Sequence, residues 1–245
     1  MSELNYTYAD VAKMIDHSLL NPALTLADLD AGIQLALRYD VASVCILPYA
    51  LRRCADALKG SNVRASTTIG FPHGGHTTAV KLAETRQALA DGGEELDMVV
   101  NISRVLSGDW AAVREDIRAV VDTTHEAGQK VKVIFENCYL QDEHKIRLCE
   151  ICSEVNADWV KTSTGYGSGG ATDADLILMR KHAAPHVKVK AAGGIRDLDA
   201  LLRVRALGVT RSGATRTAEM MDDARRRLGL EPIGGLAPAQ APAGY

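Results

Sequence analysis

Two lysines, Lys161 and Lys190, differ from most basic residues of the sequence because each closes a short apolar run. Lys161 lies in "DWVKTSTGYGSGG" (158–170) and Lys190 in "VKVKAAGG" (187–194), and each is followed within four residues by a glycine. Most lysines keep their ammonium group in water. A lysine at the end of a buried segment is instead a candidate nucleophile, because its neutral amine adds to a carbonyl carbon and forms an imine.

A pair of lysines in one site can generate such an amine. Free lysine has a pKa of about 10.4, whereas a nucleophilic amine at pH 7 needs a pKa near 7. A second ammonium about 6 Å away lowers the pKa by about 2 units, and partial burial can supply the rest. A carboxylate between the two, such as Asp97 in "ELDMVVN" (95–101), opposes part of this shift. The pair predicts an imine-forming lysine with a second cation as its activator.

Further polar residues stand at the ends of other apolar runs. They are Asp16 in "MIDHSLLN", Cys45 in "SVCILP", and Lys132 and Glu136 in "KVKVIFE". We expect Asp16 and Cys45 to line a substrate channel, although packing in the core accounts equally well for Cys45. Lys188 has the same strand parity as Lys190, so both are expected to face the same side, which we take to be the inside.

Two late segments have the form of phosphate-binding loops. "AAGGIRDLDALLRV" runs through Gly193 and Gly194 into a helix that Asp197 is expected to cap, so free backbone N–H groups face a ligand. "RSGATRT" repeats the arrangement at Gly213, Ala214 and Thr215. The alternative is that these glycines only allow the turns between strand and helix and bind no ligand.

The elements that must position these residues form a regular alternation. Seven short runs rich in β-branched residues alternate with helical patterns, and each run is expected to form a strand. The runs lie at 42–47, 64–69, 96–100, 130–136, 158–163, 187–192 and 208–213. An eighth strand is expected in "KMIDHSLL" (13–20). Eight strand–helix units in 245 residues predict an α/β fold, a single (β/α)8 TIM barrel with an N-terminal helix. A doubly wound open sheet is the alternative, but the first strand lacks GxGxxG.

Composition limits the classes of function. The chain is 47% hydrophobic with a formal net charge of −3, and it contains no run of about 18 apolar residues, so we expect no nucleic acid and no membrane as partner. The N-terminal segment lacks the layout of a signal peptide, and five cysteines fit a reducing compartment, so a cytoplasmic location is expected. Cys149 and Cys152 are expected to pack in a helix, and His73 and His76 lack a third metal ligand nearby.

The last segment, "EPIGGLAPAQAPAGY", has the composition of a flexible tail. We therefore expect a catalytic barrel domain over residues 1–230 and a flexible C-terminal tail over 231–245. Such tails are usually inert. An extended tail of this length can nevertheless cross a barrel mouth, so we also predict that the terminal Tyr245 visits the site as a proton shuttle.

Five motifs, "MIDHSLLNP", "GFPHG", "ELDMVVNI", "VKTSTG" and "KAAGGIR", occur in an order and spacing that closely resemble those of the deoxyribose-phosphate aldolases. The resemblance implies a class I aldolase that cleaves 2-deoxy-D-ribose 5-phosphate reversibly to D-glyceraldehyde 3-phosphate and acetaldehyde, with no cofactor and no metal. It also implies that Lys161 is the Schiff-base lysine, Lys190 the second lysine of the site, and Asp97 the carboxylate of the proton relay.

The sequence departs from the family pattern on the phosphate side. Tyr166 stands where some members have a lysine, and Thr215 and Arg216 replace a pair of serines. The predicted substrate-binding residues are Asp16, Cys45, Thr162, Gly165, Gly193, Gly194, Gly213, Ala214 and Thr215. The expected partners are a phosphosugar substrate and further copies of the chain, as a dimer or tetramer. Three alternatives stay open: another Schiff-base aldolase or transaldolase, a non-catalytic phosphosugar-binding barrel, and a metal-dependent aldolase that uses His73 and His76.

Overall fold

Eight parallel strands close into a barrel in the order in which they follow along the chain. The computed structural model describes residues 5–234 of the protein. Its strands are β1 Ile15–Leu19, β2 Ser43–Ile46, β3 Arg64–Ile69, β4 Glu95–Val99, β5 Lys130–Ile134, β6 Trp159–Lys161, β7 Lys188–Ala191 and β8 Arg211–Ala214. The TIM barrel predicted from the sequence is therefore confirmed, and the open sheet is excluded because β8 pairs with β1.

Helices cover the outside of the barrel between successive strands. They are α1 Tyr8–Ala12, α2 Leu26–Arg38, α3 Leu51–Leu58, α4 Thr78–Ala90, α5 Ile102–Leu106, α6 Trp110–Glu126, α7 Asp142–Glu154, α8 Asp173–His182, α9 Leu198–Ala206 and α10 Thr217–Arg227. Side-chain caps start several of them, including the reciprocal Thr25–Asp28 capping box of α2 and the predicted Asp197 cap of α9. Among residues 5–234, no helix is both long and apolar enough to cross a membrane.

The strands divide their side chains between two environments with a period of two residues. On β5, Val131 and Val133 pack in the apolar layer beneath the helices, whereas Lys132 points into the barrel. β7 divides its residues in the same way, with Val189 outside and Lys190 inside. The apolar core therefore lies between barrel and helices, and the inside of the barrel holds charged groups.

The predicted tail is only partly described. Residues 231–234 follow α10, where the Ile233 backbone N–H donates to Asp222 Oδ1 at 2.9 Å. Residues 235–245, and with them the predicted shuttle Tyr245, lie outside the described residues. The domain boundary at residue 230 therefore stays a prediction.

Candidate active site

Asp97 of β4 is the centre of a buried cluster of amines. Its Oδ2 lies 2.8 Å from Lys161 Nζ and 2.8 Å from Lys190 Nζ, and its Oδ1 lies 2.9 Å from Lys132 Nζ. All four side chains are at most 4% exposed. Two lysines therefore share one carboxylate oxygen.

The strand register explains why these residues meet. Lys161 and Lys190 are Cα partners on β6 and β7, and Asp97 and Lys132 are partners on β4 and β5. The expectation that adjacent strands bring Lys161 and Lys190 to one mouth is confirmed. Lys188, two residues before Lys190, lies at the opposite end of β7, where its Nζ is 4.9 Å from the Trp159 ring centroid.

Asp16 of β1 forms a second anionic centre beside the first. Its Oδ2 lies 2.5 Å from Lys190 Nζ, and its Oδ1 accepts hydrogen bonds from Ser43 Oγ at 2.7 Å and from Arg211 Nη1 at 2.5 Å. Lys190 therefore bridges two carboxylates, whereas Lys161 contacts only that of Asp97 among the carboxylates within residues 5–234.

Three further charged residues belong to this cluster and are absent from the predicted site. Arg211 binds Glu95 through both terminal nitrogens, at 2.7 and 2.9 Å, and Lys132 Nζ lies 2.6 Å from Glu95 Oε2. The sequence held a signal for Lys132, which stands in a strand run, and a weaker one for Glu95, which has the same strand parity as Asp97. Arg211 also stands in a predicted strand run, 208–213, with the same strand parity as Gly213, but the sequence does not show which carboxylates it meets.

The environment of Lys161 favours its neutral form. Burial lowers the pKa of Lys161 and the neighbouring Lys190 ammonium lowers it further, while Asp97 opposes the shift without cancelling it. Lys190 is as deeply buried, but Asp16 and Asp97 together outweigh burial and raise its pKa. The pKa values of the two lysines are thus shifted in opposite directions, and Lys190 contacts two carboxylates whereas Lys161 contacts one.

The carboxylates are held in their ionised form. Burial alone would raise the pKa of Asp97, but Lys132, Lys161 and Lys190 outweigh it and hold that pKa well below its ordinary value. The same balance between burial and the cations Lys132, Lys190 and Arg211 keeps the pKa of Asp16 low. Burial raises the pKa of the Cys45 thiol, so this group stays protonated.

A cavity opens above the lysines at the carboxyl ends of the strands, where barrel enzymes carry their chemistry. The predicted residues that line it are Asp16, Cys45, Lys161, Gly165, Lys190, Gly193, Gly194, Gly213, Ala214 and Thr215. Thr162 lies behind this wall, where its Oγ1 donates to Ala192 O at 3.1 Å and accepts from Ala192 N at 3.0 Å. It thereby ties the loop after β6 to the end of β7.

The loops around the cavity have little space between them. Gly193 and Gly194 adopt φ values of +82° and +88°, which favour glycine. A Cβ on Gly193 would lie 2.8 Å from Gly170 Cα, whereas one on Gly194 would meet nothing within 4 Å. Opposite them, the Tyr166 hydroxyl donates to Leu20 O at 2.7 Å and its ring packs edge-on against Phe71.

The candidate metal ligands of the sequence lie on two separate elements, an exposed loop and helix α7. His76 Nδ1 lies 3.8 Å from Glu84 Oε1 on an exposed loop, and Cys149 and Cys152 are fully buried on α7, as predicted. Among residues 5–234, no group of three or more histidine, cysteine, aspartate or glutamate side chains is arranged to hold a metal ion.

Comparison with known proteins gives consistent matches. A family model described as "DeoC/LacD family aldolase" matches residues 10–220. The chain is 69% identical over 229 residues to a deoxyribose-phosphate aldolase of Rhodopirellula baltica, covering 94% of this chain and 95% of the relative. It is 45% identical over 218 residues to a deoxyribose-phosphate aldolase of Thermococcus gammatolerans, covering 88% and 97%.

Solved structures show the same likeness. A putative deoxyribose-phosphate aldolase from Coccidioides immitis superposes with a TM-score of 0.85 at 31% identity, covering 90% of this chain and 87% of that one. The deoxyribose phosphate aldolase of Aeropyrum pernix, described as a unique tetrameric structure, gives a TM-score of 0.82 at 28% identity, with coverages of 89% and 92%.

Proposed function

The chain belongs to the DeoC/LacD family of aldolases, and we propose that it reversibly cleaves 2-deoxy-D-ribose 5-phosphate to D-glyceraldehyde 3-phosphate and acetaldehyde through a Schiff base on Lys161. The substrate is supported by the name of the relative that shares 69% of its residues over 94% of this chain. The protein is a lyase, an enzyme that cleaves a carbon–carbon bond.

One observation carries the assignment of the nucleophile. Four cations lie inside the barrel within the described chain, and the pKa is lowered only for Lys161 and raised for Lys132, Lys190 and Arg211. Lys161 also lines the cavity. An amine that attacks an aldehyde must reach it in the neutral form, and among these four side chains only Lys161 both lines the cavity and has a lowered pKa.

The reaction follows from these parts. The neutral amine of Lys161 attacks C1 of the open-chain sugar, and the carbinolamine loses its hydroxyl as water to give a protonated imine. The C3 hydroxyl then gives up its proton, the C2–C3 bond breaks, and its electron pair forms an enamine with C1 and C2. Glyceraldehyde 3-phosphate leaves, C2 takes up a proton, and water releases acetaldehyde from the imine.

Proton transfer is assigned to Lys190 and Asp97 together with a water molecule. Asp97 Oδ2 lies 2.8 Å from the nitrogens of both lysines. A proton can therefore pass from the ammonium of Lys190 to the departing carbinolamine hydroxyl while Asp97 stabilises the positive charge on the imine. The raised pKa of Lys190 keeps this side chain charged at neutral pH, as a proton donor must be.

The phosphate group is assigned to the loops after β7 and β8. Gly193, Gly194, Gly213 and Thr215 line the cavity there, and their backbone N–H groups are suited to bind phosphate oxygens. The exposed Arg196 lines the same part of the cavity and adds a positive charge. Tyr166 supplies a hydroxyl and a ring where some members of the family have a lysine, so backbone groups carry more of the recognition.

The proposed function is tested by following acetaldehyde release from 2-deoxy-D-ribose 5-phosphate with a coupled alcohol dehydrogenase assay. We expect turnover by the parent chain, full activity in EDTA, and none with Lys161→Met. A chain that ignores this substrate but cleaves a transaldolase substrate would contradict the proposal. Loss of activity in EDTA would instead indicate a metal-dependent aldolase.

Three further predictions stay proposals: the role of Tyr245, the oligomeric state and the cellular location. We propose that Tyr245 assists protonation of the enamine, in which case its deletion lowers the turnover rate but changes neither the melting temperature nor imine formation. We also propose a homo-oligomer, supported by the tetrameric relative from Aeropyrum pernix and testable by analytical ultracentrifugation. A cytoplasmic location is proposed from the sequence alone.

A further inference from the structure

The barrel interior holds more ionisable groups than the proposed reaction uses. Within the described chain, seven such side chains form one connected network: Asp16, Glu95, Asp97, Lys132, Lys161, Lys190 and Arg211. β2 adds the Cys45 thiol and Ser43, and β3 adds Ser66. Four cations face three carboxylates, so the network is electrically neutral when one amine has lost its proton.

Two members of the network do not line the substrate cavity. Glu95 and Arg211 line a second cavity, at the amino-terminal end of the barrel, and neither lines the cavity of the lysines. Their side chains are 4% and 13% exposed and form a bidentate ion pair. The proposed chemistry involves neither residue, yet burying such a pair is costly unless its partners are arranged around it.

Two chains of contacts connect the Glu95–Arg211 pair to the residues of the site. Arg211 Nη1 lies 2.5 Å from Asp16 Oδ1, and the other oxygen of Asp16 lies 2.5 Å from Lys190 Nζ. Glu95 Oε2 lies 2.6 Å from Lys132 Nζ, which in turn lies 2.9 Å from Asp97 Oδ1. The pair thus contacts Asp16 directly through Arg211, and it contacts Asp97 indirectly, because Glu95 contacts Lys132.

We propose that Arg211 and Glu95 are positioning residues that set the charge of Lys161 from the far end of the barrel. Arg211 shares Asp16 with Lys190, and Glu95 holds Lys132 against Asp97, so Lys161 is the amine that the network leaves without a carboxylate of its own. The inference rests on the proposed role of Lys161 as the imine-forming amine. It adds Arg211 and Glu95 to the residues of the site, although neither takes part in the proposed reaction steps.

The two residues carry opposite charges, so their removal has opposite effects. Arg211→Met leaves three carboxylates facing three lysines, which favours a protonated Lys161. Glu95→Gln leaves four cations facing two carboxylates, which favours a neutral one. A purely structural role predicts two damaged proteins with no such difference in sign. We expect the pKa of Lys161 to rise by about one unit in the first variant and to fall by about one in the second.

The pKa of Lys161 is measured without relying on aldolase activity. Each protein is reductively methylated with formaldehyde and cyanoborohydride across a pH series, and peptide mass spectrometry gives the rate at Lys161, which follows the fraction of neutral amine. At pH 7 we expect about tenfold slower methylation with Arg211→Met and faster methylation with Glu95→Gln. Arg211→Lys keeps the charge and should restore most of the parent profile.

The double variant Glu95→Gln, Arg211→Met removes one charge of each sign and should return the profile close to that of the parent. Arg53→Met, which breaks an exposed ion pair with Asp30 and lines neither cavity, is the control and should not shift it. If Arg211→Met fails to fold, the inference is still tested by the expected fall of the Lys161 pKa in Glu95→Gln and by its return in the double variant. Shifts of the same sign in both single variants, or none, overturn the inference while leaving the proposed function intact. Correct shifts in a chain without aldolase activity refute the proposed function alone.

Discussion

Burial is the largest cause of the lowered pKa of Lys161. The ammonium of Lys190 adds to the effect of burial, and Asp97 acts against both. The sequence alone predicts that the second ammonium causes the larger part of the lowering of the pKa and that burial causes the remainder. The structure reverses this order, and two carboxylates, Asp16 and Asp97, lie 2.5 and 2.8 Å from Lys190 Nζ.

Removing the charge of Lys190 should therefore change the pH dependence of the reaction as well as its rate. In Lys190→Met the pKa of Lys161 loses a contribution that lowers it, so the acid limb of the kcat/KM profile should move to higher pH. We expect most activity at pH 7 to be lost and part of it to return on alkalinisation. Steady-state kinetics across pH 6–10 measure this, and an unshifted limb would show that Lys190 does not affect the charge of Lys161.

Asp97→Asn should separate imine formation from proton transfer. The substitution removes the anion that raises the pKa of Lys161, so the amine is neutral more often and its first attack on the aldehyde should not slow. Proton transfer should slow by about 10²-fold or more, the usual contribution of acid–base catalysis. Exchange of the acetaldehyde methyl protons with deuterium, followed by NMR, reports that step. Exchange at the parent rate would remove Asp97 from it.

At the scale of the elements, the periodicity of apolar residues and the local composition predict which strands and helices form but not the residue at which each one ends. The run 130–136 suggested a seven-residue strand, whereas β5 ends at Ile134. Two residues later Glu136 has a φ of 58°, a left-handed conformation that apolar spacing does not reveal. The run 208–213 predicted β8 too early, since Val209 packs in the core before the strand begins at Arg211.

The loop after β7 offers a matched test of close packing. Gly193 and Gly194 both have positive φ values, so alanine at either position strains the backbone, but only at Gly193 would the new Cβ collide with Gly170. We expect Gly193→Ala to raise KM for 2-deoxy-D-ribose 5-phosphate about tenfold, and more than Gly194→Ala does. The same pair assayed with unphosphorylated deoxyribose should differ less. Equal effects of the two variants on both substrates would contradict the assignment of this loop to phosphate.

At the scale of the whole molecule, closure of the barrel creates contacts that neighbouring strands cannot. Glu95 on β4 meets Arg211 on β8, and Asp97 on β4 meets Lys190 on β7. Adjacent strands can be paired from sequence order, so the meeting of Lys161 with Lys190 was predictable. Contacts across the barrel depend on its diameter and tilt, which no local pattern contains. The pairing of Glu95 with Arg211 is therefore not predictable from the sequence.

His17 should dominate one part of the pH dependence of folding. Burial lowers its pKa to about 4, and its Nδ1 lies 2.8 Å from Thr217 Oγ1. The unfolded chain, where histidine titrates near 6.5, binds the proton more readily, so its contribution to stability is complete above about pH 6.5 and is lost as the pH falls to about 4. The loss amounts to about 3 kcal/mol.

Urea unfolding of the parent chain and of His17→Gln at pH 7 and pH 4.5 measures this contribution. The variant should be less stable at pH 7 but lose less stability on acidification. His73→Gln, which alters an exposed loop histidine, should keep the parent slope. An identical slope in the parent and His17→Gln would contradict a lowered pKa of His17 in the folded protein.

Reductive trapping tests the central claim, that Lys161 is the amine that forms the Schiff base. The protein is incubated with acetaldehyde at pH 7, reduced with borohydride, digested, and mapped by mass spectrometry. We predict a single ethyl group on Lys161, with Lys132 and Lys190 unmodified because both are held in their charged forms by the carboxylates around them. An ethyl group on Lys190 or Lys132 in place of Lys161, or no adduct at all, would contradict it.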